Sequence, residues 1–158
     1  MSEAALRFVA LARHKQAQQG SDVKAYKVAE QAYRRYLKQF DKSEEAPQIH
    51  FYLGEVLFKL KRYAQAAASY SLAVKDSKVP SLRKEAAYAA VLAWDKQRQA
   101  QPSNKEPPDK EQDLNEAEQG FLLTVTTFTE IAPDDPKLDQ RRFEVGRIHH
   151  LRAQFPRA

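Results

Sequence analysis

Residues 47–80 read PQIHFYLGEVLFKLKRYAQAAASYSLAVKDSKVP. Apolar side chains recur there at steps of three and four, the period of an amphipathic helix. Pro47 suits a first helical turn, and a helix is expected over 47–60. A second is expected over 63–75. Lys61-Arg62 leaves so little chain between them that the two helices must be antiparallel neighbours. Gly54 supplies a small surface at which they can approach. Ala66 and then Tyr70, four residues on, let the second helix nest against the first. Pro80 closes the unit.

Outward from this hairpin, the rest of the chain also reads as helix, rich in Ala, Gln, Lys, Glu, Leu and Arg. Residues 2–19 place Leu6, Val9, Ala10 and Arg13 at helical spacing. Gly20-Ser21-Asp22 is a stop followed by a cap. Residues 22–40 align Tyr26, Ala29, Tyr33, Tyr36, Leu37 and Phe40 on one face. After Pro80-Ser81 a helix is expected over 82–99. Residues 99–113, QAQPSNKEPPDKEQD, hold three Pro and no apolar residue but Ala100, which predicts a flexible insertion. Helix resumes near Leu114 and stops at Pro133. Its stretch FLLTVTTFTEI (121–131) is rich in strand-favouring Thr, Val and Ile. The spacing of Phe121, Val125, Phe128 and Ala132 decides it as helix. Asp134-Asp135-Pro136 opens a last helix ending near Ala153.

The hairpin echoes along the chain. Ala32 and Tyr36 stand 34 residues before Ala66 and Tyr70, and Ala117 and Phe121 repeat that interval after the insertion. Val91-Leu92 follows Val56-Leu57 by 35 residues, with Ala89 in place of Gly54. Val145-Gly146 answers Leu53-Gly54, Phe155 answers Tyr63, and Ala158 answers Ala66. The small-residue, Ala-x3-aromatic, Ala, Pro order resembles the tetratricopeptide repeat, whose period is about 34 residues. His50 and Leu57 depart from its usual Trp and Tyr. The resemblance implies an all-α solenoid of antiparallel helix hairpins, about seven helices in three to three-and-a-half repeats. It forms one domain over residues 1–158. The half repeat at the end implies a piece of a longer protein and an open last repeat through which copies could associate. The strings YRRYLKQFDKSEEAPQIHFYLGEVLFKLKRYAQAA and APDDPKLDQRRFEVGRI are further similar to bacterial cell-envelope tetratricopeptide proteins. That resemblance implies a periplasmic or envelope setting in an assembly, division or motility complex. The cytoplasm is the alternative compartment.

The 158 residues are 42% hydrophobic and 30% charged, enough apolar material for a core. There is no cysteine, so disulfides and thiolate chemistry are excluded. No apolar run approaches the roughly 20 residues of a membrane-spanning helix. The net charge of +5 is concentrated: residues 1–40 carry eight Lys or Arg against three Asp or Glu.

Nothing in the chain reads as an enzyme. It has no HExxH, no Gly-rich phosphate loop and no GxSxG. Adjacent His149 and His150 point about 100° apart on a helix and cannot share a metal well. Asp134-Asp135 reads as a helix cap. No cofactor or metal is expected. A solenoid offers a concave surface lined by the first helix of each pair. In the 47–60 helix this face holds Gln48, Phe51, Tyr52, Glu55, Phe58 and Lys59. A 35-residue step puts Arg83, Ala86, Ala87, Ala90, Ala93 and Trp94 on the next helix. The last helix adds Gln140, Phe143, Glu144, Arg147, His150 and Leu151. The expected partner site is Tyr52, Glu55, Phe58, Lys59, Ala86, Ala90, Trp94, Arg147 and His150, a shallow apolar trough with aromatic walls for a peptide or helix of a protein partner. The same Ala residues would equally serve close helix packing. The groove holds no Asn, against a carboxylate clamp of the kind some relatives use. The alternative site is the basic face of helix 22–40, Lys24, Lys27, Arg34 and Lys38, for nucleic acid or another anionic surface. Interleaved Tyr26, Tyr33 and Tyr36 could stack bases or fill the core.

Overall fold

The computed structural model describes residues 2–20, 22–101 and 106–154. Seven helices follow in order among these residues: α1 (Glu3–Gly20), α2 (Val23–Phe40), α3 (Ala46–Lys59), α4 (Tyr63–Asp76), α5 (Pro80–Gln99), α6 (Glu116–Ile131) and α7 (Lys137–Leu151). Each packs chiefly on its neighbours in sequence, and α3 also meets α5. The result is an all-α solenoid of hairpins, as the repeat predicts.

Local chemistry sets the helix boundaries. The Asp22 side chain accepts the Lys24 amide at the start of α2. Pro47 and Pro80 occupy first-turn positions of α3 and α5. At the end of α3, Lys61 takes a left-handed φ of 59°. The amides of Lys61 and Arg62 then donate to the carbonyls of Phe58 and Leu57, closing the orphan helix end and reversing the chain in three residues. Asn115 and Glu118 form a reciprocal capping box on α6. The strand-prone run 121–131 is helical, and its Thr124, Thr126, Thr127 and Thr129 hydroxyls donate to carbonyls four residues back. Those bonds satisfy the hydroxyls within the helix.

Two apolar clusters fill the interior. One gathers Tyr33, Tyr36, Ile49, Val56 and Leu57, the other Val91, Phe121, Phe128 and Leu138. Phe51 and Trp94 pack against both, so the core is continuous along the stack.

Burial corrects the repeat register. Pro47, Ile49, Leu53 and Gly54 of α3 correspond to Pro80, Leu82, Ala86 and Ala87 of α5, a step of 33 residues rather than 35. Ala87, not Ala89, stands where Gly54 does. In α2 the counterparts of Tyr63, Ala66 and Tyr70 are Tyr26, Ala29 and Tyr33, one turn before Ala32 and Tyr36. Ala32 is only half-buried, whereas Ala29 and Tyr33 are closed to solvent. The Ala117–Phe121 alignment agrees with burial; Val145 is half-buried and Gly146 exposed where Leu53 and Gly54 are buried; Phe155 and Ala158 lie outside the described residues.

Of the expected insertion, residues 106–113 carry no helix or strand. Its end is fastened: the Gln112 amide donates to the Arg152 carbonyl at 2.9 Å, and the Gln154 side chain donates to the Gln112 carbonyl at 2.8 Å.

Candidate binding face

The first helices of successive pairs, α1, α3 and α5, present two clefts in series. Ala4, Arg7, Phe8 and Leu11 of α1 face Gln48, Ile49 and Tyr52 of α3 across a cleft of about 400 Å³. Phe8 is 73% exposed there, a large cost for an aromatic ring left in water. The second cleft, about 330 Å³, lies between Phe51 of α3 and Ser81, Lys84, Glu85, Tyr88 and Ala89 of α5, with Phe128 and Lys137 beyond. Phe51 and Tyr52 are successive residues of α3, with rings 6.1 Å apart, so the clefts adjoin.

Three aromatics of this face, Tyr52, Phe51 and Tyr88, are braced from behind. Tyr52 stacks on Tyr33 at 6.2 Å and meets the edge of His14 at 6.1 Å. Phe51 leans on Tyr70 at 5.5 Å. Tyr88 packs on Phe128 at 5.2 Å and carries the Lys137 ammonium 4.4 Å over its ring. Lys84 is tied to Asp135 at 2.9 Å. Glu55 stands half-buried among these groups. Desolvation raises its pKa above the usual carboxylate range; Lys59 opposes that shift and Glu85 adds to it.

The expected site residues separate on this frame. Tyr52, Glu55, Phe58 and Lys59 lie together on α3. Phe58 meets Tyr63 at the hairpin end, 5.1 Å between rings. Ala86 and Ala90 do not floor a trough: they are 0% and 2% exposed, sealed between helices. Of the two uses open to the Ala face, packing is the one realised. Trp94 is also displaced from the groove, because its indole lies on Gly120 of α6, where any Cβ would collide with the ring. The two-residue error in register produced both misplacements. The α5 residues on the open face are instead Ser81, Lys84, Glu85, Tyr88 and Ala89. Arg147 is exposed and paired with Glu144, and His150 is exposed on α7. Neither lines the two clefts. Phe8 and Leu11 were missed although their four-three phase with Ala4 was readable, because α1 was given no inward face.

On the outer side, Lys24, Lys27, Arg34 and Lys38 are all exposed on α2, joined by Arg35. Tyr26, Tyr33 and Tyr36 are buried beneath them and present no ring to a base. Arg34 is held at 2.9 Å by Glu30, which also takes two hydrogen bonds from Arg62.

A separate buried cluster joins α5 to α7. Asp95 receives Arg98 at 2.6 Å and Arg141 at 3.1 Å, and Arg98 also reaches Glu144 at 3.1 Å. Arg98 sits 5.2 Å over the Phe121 ring. These ion pairs fasten α5 to α7, while the Nε of Arg98 and of Arg141 stay buried with no hydrogen-bond partner among the described residues. Among the described residues no group of three or more His, Cys, Asp or Glu could hold a metal. No helix among them is long and apolar enough to cross a membrane.

Residues 25–80 match the family model of the tetratricopeptide repeat. No curated protein and no solved structure matches the chain.

Proposed function

Because residues 25–80 belong to the tetratricopeptide repeat family, whose repeats mediate protein–protein interaction, we propose that this chain is a non-catalytic scaffold. Its adjoining clefts on α1, α3 and α5 hold a segment of a protein partner. The observation that supports this most is the apolar side of the first cleft: Phe8 and Leu11 of α1 are exposed opposite Tyr52 of α3. Exposed apolar surface gathered in a concavity is what a partner's anchor residue covers. Braced rings keep the clefts preformed, which reduces the ordering cost of binding. Glu55 and Glu85 on one side and Lys59 on the other would orient the segment. An envelope complex is the setting that the resemblance of residues 33–67 and 132–148 suggests.

The test is site-specific photocross-linking in cells. A photoreactive phenylalanine at position 8 or 88 should capture one and the same protein. The same probe at position 72, exposed on α4, should not. Capture from position 72 alone would remove the inner face as the binding site. The double variant Phe8→Ser/Leu11→Ser should lose the cross-link from position 88 while keeping its thermal unfolding midpoint within a few degrees.

A further inference from the structure

Two charged surfaces have no ion-pair partner among the described residues. Lys24, Lys27, Arg35 and Lys38 follow one another at helical steps along the exposed side of α2, and none makes an ion pair among the described residues. Their natural counter-ion, Glu30, is buried and spent on Arg34 and Arg62. Near the other end of the helix order, residues 106–116 read EPPDKEQDLNE, five carboxylates against one lysine. Glu106, Asp109, Glu111, Asp113 and Glu116 are exposed and make no ion pair among the described residues.

The two cannot meet within one chain as it is folded. The acidic segment is pinned to the end of α7 through Gln112, while α2 packs on α1 and α3; four helices, α3 to α6, lie between. We propose that the outer face of α2 docks segment 106–116 of a second copy, so that copies associate head to tail. The dimensions agree. Lys24 to Lys38 spans about 21 Å at the helical rise, and an extended eleven-residue segment reaches up to about 36 Å. Both Pro107 and Pro108 favour extended backbone, which exposes carboxylates at intervals to a row of cations. Nucleic acid is the weaker occupant, because the tyrosines that would stack bases are buried. An anionic bilayer would find only Val23 and Val28 exposed beside the lysines, with no apolar ridge to insert. Since each copy carries both surfaces at different places, the contact is heterologous and leaves an unused surface at each end. It therefore yields concentration-dependent chains rather than a closed dimer. Exposed ion pairs are individually weak, so the association is weak and governed by salt.

The experiment is sedimentation velocity on the whole chain over a concentration series, at ~0.01 M and ~1 M salt, between which the screening length falls from about 30 Å to about 3 Å. The expected result is a weight-average mass that rises with concentration at low salt and returns to monomer at high salt. Two triple variants sharpen it: Lys27→Glu/Arg35→Glu/Lys38→Glu, and Glu106→Lys/Asp109→Lys/Glu111→Lys. All six positions are exposed, so both variants should keep wild-type helicity by circular dichroism. Each alone should be monomeric, because its two surfaces then carry the same sign. Mixed in equal amounts they should associate again. A wild-type chain that stays monomeric at low salt overturns the proposal. So does association that survives high salt, or a mixture that fails to recover it. A monomeric chain that binds anionic vesicles or oligonucleotides through α2 would assign the stripe to that partner instead. None of these outcomes bears on the inner-face clefts.

Discussion

Gly54 and Gly146 occupy the same place in two repeats and meet opposite fates. A Cβ on Gly54 would lie 2.5 Å from the Tyr70 ring; one on Gly146 would meet nothing within 4 Å. Around each glycine the pattern repeats, buried Ala46, Ile49, Leu53 and Val56 answered by buried Leu138, Arg141 and Ile148 and half-buried Val145. Thus α7 keeps the register of α3 toward the stack but has no second helix over its glycine among the described residues. Its Phe143, the counterpart of Phe51, is 70% exposed. The front of the molecule is held by rings nested on small residues. The back has one such nest, Trp94 on Gly120, and beyond it is held by Asp95, Arg98, Arg141 and Glu144, and by Arg152, whose guanidinium grips the Glu118 carboxylate with contacts of 2.9–3.1 Å. A hairpin buries apolar area through two helices. A lone first helix has one apolar edge, and charge does the remaining work of fixing it.

That contrast is broken hardest at Asp95. In Asp95→Ala two arginines would be left buried without their shared carboxylate, and removing one partner of a buried pair costs about 3–5 kcal/mol. The loss should be local. Hydrogen exchange across α7 should accelerate far more than across α2–α4. Equal acceleration everywhere would mean that the charge cluster belongs to one common core.

The reciprocal change is at Gly54. Gly54→Val drives two methyl groups into the Tyr70 ring, and overpacking a close-packed site costs about 1–3 kcal/mol. Gly146→Ala should instead leave the midpoint of urea unfolding unchanged or raise it, since Ala exceeds Gly by about 1 kcal/mol inside a helix. A Gly146→Ala loss as large as that of Gly54→Val would show that the glycine of α7 is covered after all.

A smaller effect is expected at the join between the two regimes. Asn115 caps α6 and is bonded reciprocally to Glu118, which in turn holds Arg152. Asn115→Ala removes one cap, worth about 1 kcal/mol. With the side-chain cap gone, the start of α6 frays and loosens the backbone amide of residue 115 that the Glu118 carboxylate accepts. A double-mutant cycle of Asn115→Ala with Arg152→Ala should therefore be non-additive, while Asn115→Ala with Tyr26→Phe should add within error.

How the two halves are built also explains what could be read beforehand. Helix boundaries were legible where they are written locally: Asp22, Pro47 and Pro80 each carry their own chemistry. The fold followed from residues 47–80, where Gly54, Ala66 and Tyr70 differ enough in size to fix the phase. Phase was lost in α5, because Ala86, Ala87, Ala89, Ala90 and Ala93 share one half of the helix, an arc of about 160°, and being equal in size do not mark which of them takes the place of Gly54. The step of 33 residues was present only in Pro47 and Pro80, and the apparent match of Val91-Leu92 concealed it. The misplaced Ala86, Ala90 and Trp94 follow from that. The Asp95–Arg141 pair was illegible for another reason: charged residues 46 apart in sequence read as solvated surface unless the tertiary fold is known.

The smallest effect expected is that of pH, and its location tests the contrast. Burial lowers the pKa of His14 on α1 and of His50 on α3, His50 having in addition a buried Nδ1 with no hydrogen-bond partner. The unfolded chain binds these protons near the ordinary value of 6.5, while the folded chain binds them only at lower pH. Between those two values the unfolded state holds more protons, so stability increases with pH there and falls as pH drops below about 6.5. The expected result is a lower urea midpoint at pH 5.5 than at pH 7.5. Faster exchange should be confined to α1–α3, where His14 holds the Tyr33 hydroxyl at 3.0 Å. His14→Gln can keep a hydrogen bond to Tyr33 without titrating, and should remove part of the pH dependence. If acid instead loosened α7 first, the back of the molecule would be the acid-sensitive part, and the division between ring-nested and charge-fastened halves would have been drawn at the wrong place.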